Sequence, residues 1–103
     1  MPHSILDRPY EWKIVELRFV ADDEAWLELR LAKNGVTRRL RFRGVLDLQL
    51  ERGFPSAPGL VIDDVSDRQL EGIGVLVTDR EAGNGGLHFW ARDVVDADHL
   101  ADE

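Results

Sequence analysis

The sequence predicts an all-β protein: an antiparallel β-sandwich or a curled, barrel-like sheet of about seven strands with one short helical turn. Three observations carry that expectation. Asn34-Gly35 sits between two alternating runs, and a type I′ hairpin turn needs positive φ at both central residues. Apolar residues recur at every second position through most of the chain, the period of a strand rather than a helix. Turn-forming residues interrupt those runs roughly every 8–12 residues, as in sandwiches and barrels.

Residues 1–9 read as a loose lead-in ending at Pro9. A first strand spans about 11–20, with Val15, Leu17 and Phe19 on one face and Glu16 and Arg18 on the other. After a turn at Ala21–Glu24, strands at about 25–33 and 36–43 close on Asn34-Gly35. With those two as turn residues, Leu31 faces Arg38, Leu29 faces Leu40 and Leu27 faces Phe42. On the opposite face Arg30 meets Arg39, Glu28 meets Arg41 and Trp26 meets Arg43. A one-residue slip exposes every leucine, so the register is strongly specified. The first strand pairs best with Arg18 opposite Glu28 and Glu16 opposite Arg30, because the neighbouring register sets Glu16 against Glu28.

Gly44 breaks the pattern and is expected to form a bulge or corner leading to a second sheet. Residues 45–51 alternate, with Leu46, Leu48 and Leu50 expected inward. Residues 53–59, with two prolines and two glycines, read as a crossover loop. Leu60–Ile62 is a short strand. Ser66 and Gln69 have the spacing of a capping box before a helical turn at 67–71, stopped by Gly72. A strand at about 73–79 has apolar residues in both alternating sets, which suggests burial on both faces. Residues 79–86 form a hairpin loop. The return strand, 87–92, sets Leu87, Phe89 and Ala91 on one face and His88, Trp90 and Arg92 on the other. A last short strand at Val94-Val95 precedes an acidic tail at 96–103.

At 103 residues the chain reads as one domain, able to bury roughly 65% of its unfolded surface without disulfide or metal. It has no cysteine, which removes thiol chemistry and thiolate metal sites. No apolar leader and no run of membrane-spanning length is present, so a cytoplasmic location is expected. Arginine outnumbers lysine, 11 to 2, as codon bias in a GC-rich bacterium would produce. The net charge of −7 argues against general nucleic-acid binding. The charge is uneven: residues 1–52 carry 10 basic and 9 acidic side chains, residues 53–103 carry 3 and 11.

Two clusters are candidate binding sites. Arg39, Arg41 and Arg43 share a face with Trp26, a composition suited to a phosphate, a carboxylate or an acidic protein surface. The competing reading is a solvated face whose arginines Glu16 and Glu28 neutralise. Arg38 falls on the apolar set and is expected to snorkel from the sheet end. Trp12 either shares the outer face with Trp26 or folds over it with Tyr10. Asp63 and Asp64, with Asp67 and Glu71, form an acidic cluster whose spacing fits no EF-hand. Asp67 is better read as a first-turn acid. No catalytic residue is assigned. His88 with Asp79 or Asp93 resembles a base and its orienting acid, but no nucleophile is placed to complete a triad.

The run FRGVLDLQL at 42–50, GLVIDDVSDRQLEG at 59–72, then VLVTD and LHFWARDV resemble, as a layout of strands and turns over roughly residues 12–95, small β-rich bacterial proteins, some of them immunity proteins of polymorphic toxin systems. The resemblance implies a compact, non-catalytic β domain. An immunity role would imply an acidic surface that blocks a toxin.

The expected function is a protein–protein interaction module, not an enzyme, with no cofactor and no metal. Its partner is another protein or a second copy of itself, with no nucleic acid and no membrane. The alternative is small-molecule or anion binding, by the arginine face or by an internal pocket.

Overall fold

The alternating runs become strands almost where the period-two pattern places them. In the computed structural model, residues 3–21, 23–50, 60–68, 72–79 and 87–97 are described. They form β1 (Lys13–Val20), β2 (Trp26–Lys33), β3 (Val36–Arg43), β4 (Leu46–Leu50), β5 (Leu60–Asp64), β6 (Val75–Asp79), β7 (Leu87–Ala91) and β8 (Asp93–Asp96), with 3-10 turns at Pro9–Glu11 and Ser66–Arg68. The eighth strand is the Val94-Val95 segment, one more than the expected seven. The strands make two four-stranded antiparallel sheets, ordered β1-β2-β3-β8 and β4-β7-β6-β5.

The hairpin register is the expected one, from Trp26 opposite Arg43 to Lys33 opposite Val36. Asn34 and Gly35 take φ of 51° and 81°, the positive values a type I′ turn demands. β1 also pairs as expected over Glu16–Val20, with Arg18 opposite Glu28. Towards its start the register shifts between Ile14 and Glu16. That bulge puts Ile14, not Val15, against Leu31, and Ile14 packs on the core while Val15 is exposed. A similar shift in β4 falls between Leu46 and Gln49, where Asp47 takes φ 55°. Leu46, Leu48 and Leu50 are the inward set by alternation; only Leu48 packs on the core, while Leu46, paired with Trp90, and Leu50 are exposed. One inserted residue reverses the faces on either side of it, and no alternation rule locates the insertion.

The corner at Gly44 joins the sheets. Arg43 faces Asp93 in the β3–β8 ladder, and Leu46 faces Trp90 in the β4–β7 ladder. These belong to one register, so a single bent antiparallel ladder passes from one sheet into the other with Gly44 opposite Arg92. The Arg92 amide donates to the Arg43 carbonyl at 2.8 Å. Gly44 has φ 67°, and a Cβ there would lie 3.0 Å from the Cβ of Arg92. Gly74 lines the other side of the same turn, where a Cβ would sit 2.6 Å from the Arg92 carbonyl oxygen.

Both sheets face one hydrophobic cluster. Leu27, Leu29, Leu31, Leu40, Phe42 and Val94 enter it from the first sheet; Leu60, Ile62, Val75, Val77, Leu87, Phe89 and Ala91 enter from the second. Phe42 and Phe89 meet edge to face, ring centroids 5.1 Å apart, worth about 1 kcal/mol beyond the area they bury.

The lead-in is not loose over its described part. The His3 amide donates to the Ile62 carbonyl at 2.9 Å, and Leu6 and Pro9 are buried. Trp12 belongs to the core cluster, which overturns both placements expected for it on the outer face. β6 is fully buried only through Val75 and Val77, with Leu76 half-buried, so it is not a strand covered equally on both faces. The helical turn is a 3-10 turn that includes Ser66; residues 69–71 lie outside the described residues, as do the loops at 51–59 and 80–86 and the tail from 98. The Ser66 amide and hydroxyl donate to Asp64 Oδ1 at 3.0 and 2.6 Å, so the acid before the turn caps it. Among the described residues no helix is long and apolar enough to cross a membrane.

Replacing Gly74 by alanine is expected to lower stability by about 2 kcal/mol, because the new methyl meets backbone, which cannot rotate away. Urea denaturation of Gly74→Ala beside wild type checks this; Gly74, unlike Gly72 at φ 73°, is not in the left-handed region, so the close contact alone is read. An unchanged midpoint in Gly74→Ala would show that the corner is not tightly packed.

Candidate functional site

Period-two alternation delivers the arginines of β3 to the solvent face of the β1-β2-β3-β8 sheet. Across that face run Glu16, Arg30 and Arg39 in one row, Arg18, Glu28 and Arg41 in the next, then Trp26, Arg43 and Asp93. The face therefore holds five arginines and three acids, a local excess of positive charge in a chain of net charge −7.

Glu28 is its hub. Its side chain is only 12% exposed; it accepts from Arg41 Nη2 at 3.1 Å and lies 3.8 Å from Arg39 Nη1. Arg41 stacks over the Trp26 ring, its Cζ 4.2 Å from the centroid, and Arg18 approaches the same ring at 5.8 Å. Trp26 is thus flanked by two guanidinium groups, a cation–π arrangement. Arg41 Nε is buried with no hydrogen-bond partner among the described residues. Arg43 grips Asp93 with both ends of its fork, Nε to Oδ1 at 2.7 Å and Nη2 to Oδ2 at 2.6 Å. Arg30 and Glu16 are 3.7 Å apart and about half exposed, a looser pair.

All four residues expected here, Trp26, Arg39, Arg41 and Arg43, share this face. Arg18, Glu28 and Asp93 complete it. The first two are legible from the β1–β2 register; Asp93 is not, because nothing in the sequence says that β8 pairs with β3. Arg38 does not merely snorkel. Its Nη2 donates to Asp96 Oδ2 at 2.9 Å and reaches the Ile5 carbonyl at 3.4 Å. Arg38 and Asp96 each break the apolar set of their own strand, and two such exceptions on neighbouring strands are the signal for the pair.

Asp63 and Asp64 lie elsewhere, at the end of β5 in the other sheet. The two candidate clusters are not one site. The Ser66 hydroxyl, then its amide, hold the Asp64 carboxyl below its ordinary range, so that group stabilises a turn. Among the described residues no three His, Asp or Glu side chains gather as a metal would require. His88 stacks edge to face on Trp90 at 6.0 Å, and its Nδ1 is buried without a partner among the described residues. Asp93, one acid suggested to orient it, is held by Arg43. Phe42 and Phe89 meet edge to face where the apolar sides of the two sheets come together. An open surface depression of about 390 Å³ is lined by His3, Ser4, Leu6, Asp7, Arg8, Pro9 and Tyr10; the Ile5 amide donates to His3 Nδ1 there at 3.0 Å.

Comparison with known proteins adds no relative: no family model, no curated protein and no solved structure matches the chain.

Two consequences are measurable. Glu28→Gln leaves two half-buried guanidinium groups without their carboxylate and is expected to cost about 2 kcal/mol, whereas Glu16→Gln, in an exposed pair, costs about 0.5 kcal/mol. Equal urea midpoints for the two variants would refute the hub. The second consequence concerns acid. The Arg43 hydrogen bonds, more than its charge, hold the Asp93 carboxyl below its usual range, and Asp93 in turn raises Arg43. A depressed aspartate stabilises the fold above its unfolded value of about 3.9 and loses that contribution as pH falls through its folded value. Both side chains are some 40% exposed (41% and 38%), so solvent screening limits the contribution to about 1 kcal/mol. Stability measured against pH should fall less steeply below pH ~4 in Asp93→Asn than in wild type; parallel curves would contradict the assignment.

Proposed function

We propose that this chain is a non-catalytic interaction module that binds an acidic protein segment on the outer face of the β1-β2-β3-β8 sheet. In this reading the two sheets are the layers of a small antiparallel sandwich in a bacterial cytoplasmic protein. The observation that carries the proposal is Trp26 flanked by Arg18 and Arg41, within a locally positive face on a strongly acidic protein.

The chemistry follows from how each arginine is held. Glu28 and Asp93 fix Arg39, Arg41 and Arg43, so little side-chain entropy is lost when a carboxylate docks against them. Arg18 faces a Glu28 already taken by its neighbours, and Arg30 has only a loose partner. These two offer donors to an incoming acid, and Trp26 supplies a flat apolar contact of the kind that anchors interfaces. The acidic remainder repels acidic molecules that do not fit the face. An immunity-type role would use the acids of the second half, but Asp64 is already hydrogen-bonded to Ser66, and the arginine face is the better-organised surface.

A labelled hexaglutamate peptide, with hexalysine as control, tests this by fluorescence anisotropy. Hexaglutamate should bind wild type, bind Arg30→Glu about tenfold more weakly, and release at about 0.5 M salt, where exposed charges are screened. No binding, or equal binding by the variant, would sink the proposal.

A further inference from the structure

Among the described residues four strands form the sheet edges: β1 and β8 in one sheet, β4 and β5 in the other. An edge presents unpaired backbone N–H and C=O groups, which native proteins blunt or use. Three of these edges are blunted. β5 is met by the N-terminal segment, where the His3 amide bonds the Ile62 carbonyl. β4 has five residues and is interrupted at Asp47. β8 has four residues, two of them aspartates. β1 spans Lys13–Val20, with one bulge at Val15 that leaves Glu16–Val20 regular, and displays two large apolar side chains, Val15 at 48% and Phe19 at 42% exposure.

We infer that β1 is a self-association edge, which pairs antiparallel with β1 of a second copy about a two-fold axis through Leu17. An isologous contact must be its own complement, and this strand is. With Leu17 against the second copy's Leu17, Glu16 meets Arg18 and Arg18 meets Glu16, and at both ends Phe19 reaches the bulge at Val15. The neighbouring registers fail. An axis through Glu16 sets that acid against itself, and one through Arg18 does the same for the arginine, both unfavourable directly across a ladder. An axis between residues opposes core-facing side chains to solvent-facing ones.

The charges of the single chain suit this partner. Arg18 has no ion pair among the described residues, because the carboxylate opposite it in β2, Glu28, is bound by Arg39 and Arg41; its contact is the Trp26 ring. Among the described residues Glu16 has only Arg30, at 3.7 Å, and is 55% exposed. Pairing gives each the opposite charge it lacks. The outer row then runs Arg39, Arg30, Glu16 and on into the second copy as Arg18, Glu28, Arg41, so that both charges at the junction are matched. Two four-stranded sheets become one of eight strands, with both Trp26 faces on the same side. With Arg18 engaged at the junction, Arg30 and Trp26 of each copy remain for an acidic segment, and a partner with two such segments would meet two sites at once.

Sedimentation velocity of the full chain over a concentration series tests the inference. Wild type should dimerise, and Val15→Lys, at an exposed position on the edge, should weaken the dimer by about tenfold or more. Leu46→Lys, equally exposed but on β4, should leave it unchanged. Glu16→Arg and Arg18→Glu should each be monomeric, since each opposes like charges across the axis. Mixed in equal amounts they should re-form a dimer, because each supplies the charge the other lost. Circular dichroism melts confirm that these variants are folded, and Val15→Lys carries the test if either is not. A wild type that stays monomeric, or a dimer that survives Val15→Lys, overturns the inference. A dimer broken by Val15→Lys but not restored by the mixture overturns the two-fold register at Leu17.

Discussion

The structure depends on the corner at which two strands leave one sheet for the other side by side. Four backbone hydrogen bonds cross it: Val45 to Ala25, Arg92 to Arg43, Gly74 to Ala91 and Val65 to Gly74, each amide donating to the carbonyl named second, all between 2.8 and 3.0 Å. They tie β2, both halves of the bent ladder, the start of β6 and the 3-10 turn into one belt. Glycine at 44 and 74 lets the backbones approach this closely. With the corner set, Phe42 and Phe89 come from opposite sheets into edge-to-face contact, and the rest of the apolar cluster closes round them.

The same corner organises the charged face. Because the ladder continues through it, β8 must lie beside β3, and Asp93 must lie beside Arg43. Three of the arginines are thereby positioned by acids of the protein itself: Glu28 for Arg39 and Arg41, Asp93 for Arg43. The two readings of this face, internal neutralisation and binding, are therefore not exclusive. Neutralising acids hold the guanidinium groups in place, and the arginines less completely satisfied, Arg18 and Arg30, sit nearest β1. The long edge strand and the under-compensated charges lie together at one side of the molecule.

Much of this was legible in the sequence, for local reasons. The hairpin register follows from Asn34-Gly35 and the leucine alternation, and the β1 register from the requirement that Glu16 avoid Glu28. Gly44 announced a corner because it interrupts two alternating runs. The failures have a physical pattern. The bulges at Val15 and Asp47 insert a residue without changing composition, and each sends a neighbouring apolar side chain to the unexpected face. Trp12 and Leu6 were misplaced because their burial depends on how the N-terminal segment meets β5, far away in sequence. The Arg38–Asp96 and Arg43–Asp93 pairs needed the β3–β8 pairing, which joins the middle of the chain to its end.

Native-state hydrogen exchange at the Arg92 and Gly74 amides tests the corner most directly. If the belt holds the sheets together, both amides should exchange only through global unfolding, with the same protection as core amides such as those of Phe42 and Phe89. Exchange of Arg92 or Gly74 at the rate of surface loops, while the core stays protected, would show that the sheets are held by their apolar contacts alone and that the corner is incidental.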